Sequence, residues 1–108
     1  MSRLSDVIDR LAATIEARRG ADAGGSYTAQ LLKDPARAAK KLGEEAVEAV
    51  LAAASEDRER VIAESADLIY HLLVVLHARG IALAEVEAAL AARQAQSGLQ
   101  EKASRKND

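Results

Sequence analysis

Two stretches of this chain gather carboxylates at helical spacing. KKLGEEAVEAV, residues 40–50, sets Glu44, Glu45 and Glu48 within little more than one turn. AESADLIYHLLVVL, residues 63–76, sets Glu64, Asp67 and His71 inside one of the most apolar runs of the sequence. Carboxylates that share a space repel one another, and burying them unpaired is expensive. Protonation, a cationic side chain or a metal ion must neutralise them. The second stretch has few local cations, Arg60 being the nearest on its N-terminal side. An all-oxygen set without cysteine and with little histidine suits Mg2+, or Mn2+, better than zinc. A ferritin-like di-iron centre is the rival use of helical carboxylates, but it needs Glu-x-x-His on each of two helices. Here Asp67 is followed three positions later by Tyr70, and residues 40–50 contain no histidine. His71, alone on a mostly apolar face, reads first as a buried residue with a hydrogen-bond partner. Its position one turn after Asp67 suggests where that partner lies.

The elements that must position these residues are helices. Alanine dominates the apolar content of the 108 residues, Phe and Trp are absent, and Pro occurs once. Ala and Leu lead the helix propensity scale, so the expected class is all-α, an antiparallel bundle of about four to five helices. Leu4, Val7, Ile8, Leu11 and Ile15 repeat at helical spacing and predict a helix over about 5–19. GADAGGS, 20–26, reads as a loop, and Ser26 as the cap of a short helix YTAQLL. Asp34-Pro35 reads as an N-cap followed by Pro at the first helical position, opening a helix to about Ala54. SEDR, 55–58, is a short polar joint, so the next helix, about 58–78 and ended by Gly80, should lie antiparallel to it. Leu83, Val86 and Leu90 define a fifth helix to about Ser97. A single domain is expected over 1–97, and residues 98–108 form a polar tail expected to be mobile without substrate.

Projection at ~100° per residue separates the two acidic helices. On the first, Ala39, Leu42, Gly43, Ala46, Ala49 and Val50 share one side. Arg37, Lys40, Lys41, Glu44, Glu45 and Glu48 share the other, as on an ordinary solvated face with Lys40–Glu44 and Lys41–Glu45 pairs. The second is apolar around its circumference from Leu68 to Leu76, interrupted only by Tyr70 and His71. A helix apolar on all sides is buried on all sides, which in so short a chain implies a partner subunit. Glu64, Asp67 and His71 fall on one side and continue into Val75, so these acids sit at the mouth of a buried stripe. The short joint can bring the acids of both helices opposite one another.

Net charge is -2 with Lys and Arg dispersed, which leaves no basic stripe for nucleic acid. Without cysteine there are no disulfides or thiolate metal sites. The N-terminus MSRLSDVIDR lacks an apolar signal core, no run is expected to reach the length of a membrane span, and a cytoplasmic location is expected.

The spacing of Glu44, Glu45 and Glu48, then fifteen residues, then Glu64 and Asp67 resembles the EExxE…ExxD signature of the all-α, MazG-like nucleoside triphosphate pyrophosphatases. SYTAQLL, KKLGEEAVEAV, ESADLIYHLLVVL and the terminal SGLQEKASR together resemble one branch, the phosphoribosyl-ATP pyrophosphatases of histidine biosynthesis. The chain departs from that pattern at Lys33-Asp34-Pro35, where a glycine-containing turn is expected, and it has no fused cyclohydrolase domain, so the next step would fall to a separate cyclohydrolase. The resemblance implies a homodimer and a Mg2+-dependent hydrolysis of phosphoribosyl-ATP to phosphoribosyl-AMP and pyrophosphate. It implies Glu45, Glu48, Glu64 and Asp67 as metal ligands, with Glu44, Glu48 and Asp67 as the catalytic candidates and Glu44 either a further ligand or the residue orienting water. Lys40 and Lys41 either contact phosphate or pair with glutamates. Lys102 and Arg105 either close over the substrate or form an ordinary charged terminus. Tyr27 either stacks on base or ribose or packs at a helix start, and His71 joins it as a substrate-site candidate. Two other readings stand beside this one: a sibling enzyme acting on another (d)NTP, and a non-catalytic helical dimerisation module.

Overall fold

The computed structural model describes residues 2–55 and 57–95, and all regular structure among them is helical. In chain order the helices are α1 (Leu4–Ala17), α2 (Tyr27–Leu32), α3 (Pro35–Ser55), α4 (Arg58–Ala78) and α5 (Leu83–Gln94), with two 3-10 turns, Arg18–Gly20 and Ala23–Gly25, between α1 and α2.

Local chemistry sets the boundaries. The Ser26 hydroxyl accepts the Ala29 N–H at 3.1 Å and opens α2. Asp34 accepts the Arg37 N–H at 3.1 Å, with Pro35 at the position where a missing N–H loses no helical bond. Asp57 accepts the Arg60 N–H at 3.3 Å and opens α4. α4 ends in a Schellman motif. The Ile81 N–H bonds the Leu76 carbonyl at 2.8 Å, the Gly80 N–H bonds the His77 carbonyl at 3.1 Å, and Gly80 takes φ +70°. Arg19 braces the same end: its guanidinium holds both carboxylate oxygens of Glu16 at 3.0 and 3.1 Å and donates to the His77 carbonyl at 2.8 Å. That bond ties the end of α1 to the last turn of α4.

The core is small and lies where α1, α2, the start of α3 and the second half of α4 meet. Ile15, Leu31, Leu32, Ala38, Leu73 and Val74 are buried there, with Ile8, Leu11, Ile69, Tyr70 and Leu76 packed around them. From this end α3 and α4 run as a long antiparallel hairpin, each 21 residues and so ~31 Å in length. The short joint acts as expected.

One expectation about faces is corrected. On α3 the buried positions are Ala38 and Ala52, with Lys41, Leu42, Glu45, Ala46 and Ala49 half-buried; of the expected apolar face, Ala39, Gly43 and Val50 are exposed. Small alanines let the backbones of α3 and α4 approach closely, so the stripe against α4 is built from Ala and Glu45. The bulkier Val47, Val50 and Leu51 point outward. On α4 only His71, Leu73 and Val74 are buried, whereas Ile62 and Leu72 are exposed. Within one chain the apolar circumference of α4 is therefore covered on one side alone. α4 is also long and apolar enough to cross a membrane by length and composition, contrary to the expectation from sequence. Its packing against α1, α2 and α3 reads as that of a bundle helix.

Candidate metal centre

The half-buried stripe of α3 meets α4 at three acids. Glu45, Glu64 and Asp67 each place a carboxylate oxygen so that all three lie within 4.8 Å of one another. Glu45 and Glu64 are half-buried and Asp67 is exposed, so the group opens to solvent on one side. Glu64 Oε2 is buried with no hydrogen-bond partner among the described residues, an uncommon condition for a buried acceptor. Burial first, then the charges of Glu45, Asp67 and Glu48, push the Glu64 carboxyl above its ordinary value, opposed by Arg60. A cation between the three carboxylates would satisfy the orphaned oxygen and cancel the repulsion. An all-oxygen donor set fits a hard divalent ion.

The other two acids of the expected set stand beside this group. Glu48 lies 3.6 Å from the Arg60 guanidinium, linking α3 to α4 across their exposed edge. Glu44 pairs with Lys41 at 3.1 Å, which holds the Glu44 carboxyl below and the Lys41 ammonium above their ordinary values. Neither Lys40–Glu44 nor Lys41–Glu45 forms an ion pair among the described residues. Glu45 is turned against α4, so Lys41 swings to Glu44, three positions on. Lys40 is exposed. Lys102 and Arg105 lie outside the described residues.

His71 is not part of the carboxylate group. It is 7% exposed, and both ring nitrogens are engaged: Nδ1 with the Asp67 main-chain carbonyl at 2.8 Å, and Nε2 with the Tyr27 hydroxyl at 3.1 Å. The partner expected one turn back is thus the carbonyl of Asp67, not its carboxylate. Tyr27 packs its ring edge-on to His71, with centroids 6.1 Å apart, and remains 41% exposed. Burial pushes its hydroxyl up, while Lys41 and Glu45 act on it in opposite directions. Next to this contact, Thr28 Oγ1 hydrogen-bonds the Tyr70 hydroxyl. Sequence reasoning missed this pair of contacts between α2 and α4, because residues 42 to 44 positions apart carry no local signal of meeting.

Comparison with known proteins identifies the family. A family model described as phosphoribosyl-ATP pyrophosphohydrolase matches residues 8–94. The chain belongs to that family. It is 59% identical over 103 residues to a phosphoribosyl-ATP pyrophosphatase of Caulobacter vibrioides, covering 95% of this chain and 96% of the relative. It is 61% identical over 100 residues to phosphoribosyl-ATP pyrophosphatase 1 of Bradyrhizobium diazoefficiens, covering 92% and 94%. A relative from Caulobacter sp. strain K31, of the same name, is 57% identical over 105 residues, 97% of this chain and 98% of its own. Membership makes the chain an enzyme, a hydrolase of a phosphoanhydride. The matched segment contains Tyr27, the three converging acids and His71, and it ends before Lys102 and Arg105.

Proposed function

We propose that this enzyme hydrolyses phosphoribosyl-ATP to phosphoribosyl-AMP and pyrophosphate, the second step of histidine biosynthesis, using Mg2+ held by Glu45, Glu64 and Asp67, with Mn2+ as a substitute. The observation that carries the metal is the orphaned, buried Glu64 Oε2 amid carboxylates gathered within 4.8 Å. A triphosphate is itself strongly anionic and cannot bind this cluster directly. When bound there, a divalent ion neutralises charge on the leaving pyrophosphate and lowers the pKa of an attacking water. Glu48 joins the ligand set on exchanging Arg60, 3.6 Å away. Glu44, held by Lys41 on the same helix, orients the water; Lys41 and Lys40 then face the substrate phosphates, with Lys102 and Arg105 available from the tail. Tyr27, with 41% of its surface exposed and its hydroxyl influenced by the charges of Glu45 and Lys41, offers its ring to base or ribose.

The hairpin leaves Val47, Val50 and Leu51 of α3 and Ile62 and Leu72 of α4 exposed by 42% to 66%. Scattered apolar residues are ordinary on a surface, but this many on one hairpin mark an interaction face. A second copy of the chain covers it, making a homodimer that works in the cytoplasm and passes its product to a separate cyclohydrolase. The test is pyrophosphate release from phosphoribosyl-ATP beside ordinary and damaged nucleoside triphosphates, with Mg2+ and with EDTA. EDTA-sensitive turnover confined to phosphoribosyl-ATP is expected. Turnover of another nucleotide alone would overturn the substrate, and turnover unaffected by EDTA would overturn the metal.

A further inference from the structure

The Tyr27–His71 contact has chemistry that a packing contact does not need. A carbonyl oxygen only accepts, so the 2.8 Å bond to the Asp67 carbonyl places the hydrogen of the neutral ring on Nδ1. Nε2 is then the acceptor, and the Tyr27 hydroxyl donates to it at 3.1 Å. This is the reverse of the tautomer that dominates in free histidine. With 7% of its surface exposed and both nitrogens spoken for, His71 has no atom left for a metal or a phosphate. One position along each helix, Thr28 bonds Tyr70, so two successive residues of α2 are fastened to two successive residues of α4. The ring of Tyr70 also stands edge-on to His71, with centroids 4.9 Å apart and planes at 87°.

We infer that His71 is a positioning residue: it locks the N-terminal turn of α2 onto the turn of α4 that carries Asp67, so that the half-exposed Tyr27 ring forms a fixed wall of the carboxylate site. The geometry separates two roles. Glu45, Glu64 and Asp67 would hold the cation, and the α2 wall would meet the organic part of the substrate. α2 is only six residues long, too short to hold an orientation by its own backbone bonds. Its direction is set by Leu31 and Leu32 in the core at one end and by the Tyr27 and Thr28 hydroxyls at the other. Losing the Tyr27–His71 bond frees the exposed end. The ring that borders the site then samples orientations that binding must restrict again, which raises KM and leaves the metal ligands in place.

The inference rests on the proposed hydrolysis of phosphoribosyl-ATP, and its test is arranged to separate the two. Nitrogen NMR of the histidine rings in the full-length wild-type protein should show His71 with its hydrogen on Nδ1. Tyr27→Phe and His71→Leu should each raise KM for phosphoribosyl-ATP by about 2- to 12-fold, the worth of one hydrogen bond. The Mg2+ concentration for half-maximal rate should stay unchanged. The double variant should lose no more than the worse single variant, because both remove the same bond. His71→Gln, which retains an acceptor for Tyr27, should recover part of the loss. Additive KM effects, a shifted Mg2+ requirement, or a hydrogen on Nε2 in an active wild-type enzyme would overturn the positioning role alone. A wild-type protein inert toward phosphoribosyl-ATP, with the Nδ1 hydrogen in place, would overturn the substrate and leave the brace standing.

Discussion

The exposed face of the α3–α4 hairpin makes the proposed dimer vulnerable to one charge. Val50 is 66% exposed in the single chain. Fully burying a Val or Leu side chain is worth about 1.5–3 kcal/mol, so covering two-thirds of Val50 contributes roughly 1–2 kcal/mol. In a two-fold dimer the residue occurs twice, which brings the contribution to roughly 2–4 kcal/mol per dimer. Val50→Asp forfeits that burial in both copies, and the dissociation constant should rise by about 30- to 700-fold from burial alone. Desolvating two carboxylates adds to the effect. The helix itself should survive, since position 50 is solvent-facing in the chain and makes no part of the core. Sedimentation equilibrium across a micromolar concentration range measures the change directly, with circular dichroism confirming retained helix. A wild-type mass of one chain at tens of micromolar would refute the dimer. A Val50→Asp protein as tightly dimeric as wild type would show that another face carries the association.

The remaining predictions concern the site and the fold. Glu64→Gln should abolish Mg2+-dependent thermal stabilisation and hydrolysis while leaving helix content unchanged; calorimetry with and without Mg2+ decides, and retained stabilisation by Mg2+ would exclude Glu64 as a ligand. Because burial and neighbouring carboxylates raise the Glu64 carboxyl above 4.5 in the folded protein, the metal-free fold binds this proton more tightly than the unfolded chain. Its contribution to stability is therefore full below that pH and is lost as pH rises through the folded value. Urea denaturation across that range should show this loss in wild type with EDTA, and a smaller one in Glu64→Gln. Gly80→Ala meets no side chain or backbone within 4 Å, so its effect comes from φ +70° alone; about 1–2 kcal/mol of lost stability is expected from urea unfolding. Leu31→Ala, at a site with no exposed surface, should destabilise by about 2–5 kcal/mol.

The helices were legible because their ends are written in local chemistry. Ser26, Asp34-Pro35 and the Gly80 stop each set a boundary within reach of a few residues, and α4 occupies Arg58–Ala78 as its pattern implies. α1 stops at Ala17, earlier than its Arg-Arg-Gly end suggests, because Arg18–Gly20 tightens into a 3-10 turn. The converging acids were legible for the same reason: spacing on each helix and a short joint leave them few places to go. The facing of α3 was not. Projection ranks side chains by apolarity, whereas the packing of α3 on α4 selects the small Ala38 and Ala52 for close approach. That choice turns Glu45 inward and leaves Val47 and Val50 outside. His71 was read as a buried residue with a partner near Asp67, and the bond to the Asp67 carbonyl agrees. Its second partner, Tyr27, comes from a separate helix and is set by tertiary packing that no window of sequence contains.

The most direct test of the central claim is pyrophosphate release from phosphoribosyl-ATP by the purified protein, with Mg2+ and with EDTA, beside ordinary nucleoside triphosphates. The account predicts turnover of phosphoribosyl-ATP that Mg2+ sustains and EDTA removes, with the ordinary triphosphates left intact. Turnover that persists in EDTA, or that favours an ordinary triphosphate, would contradict it.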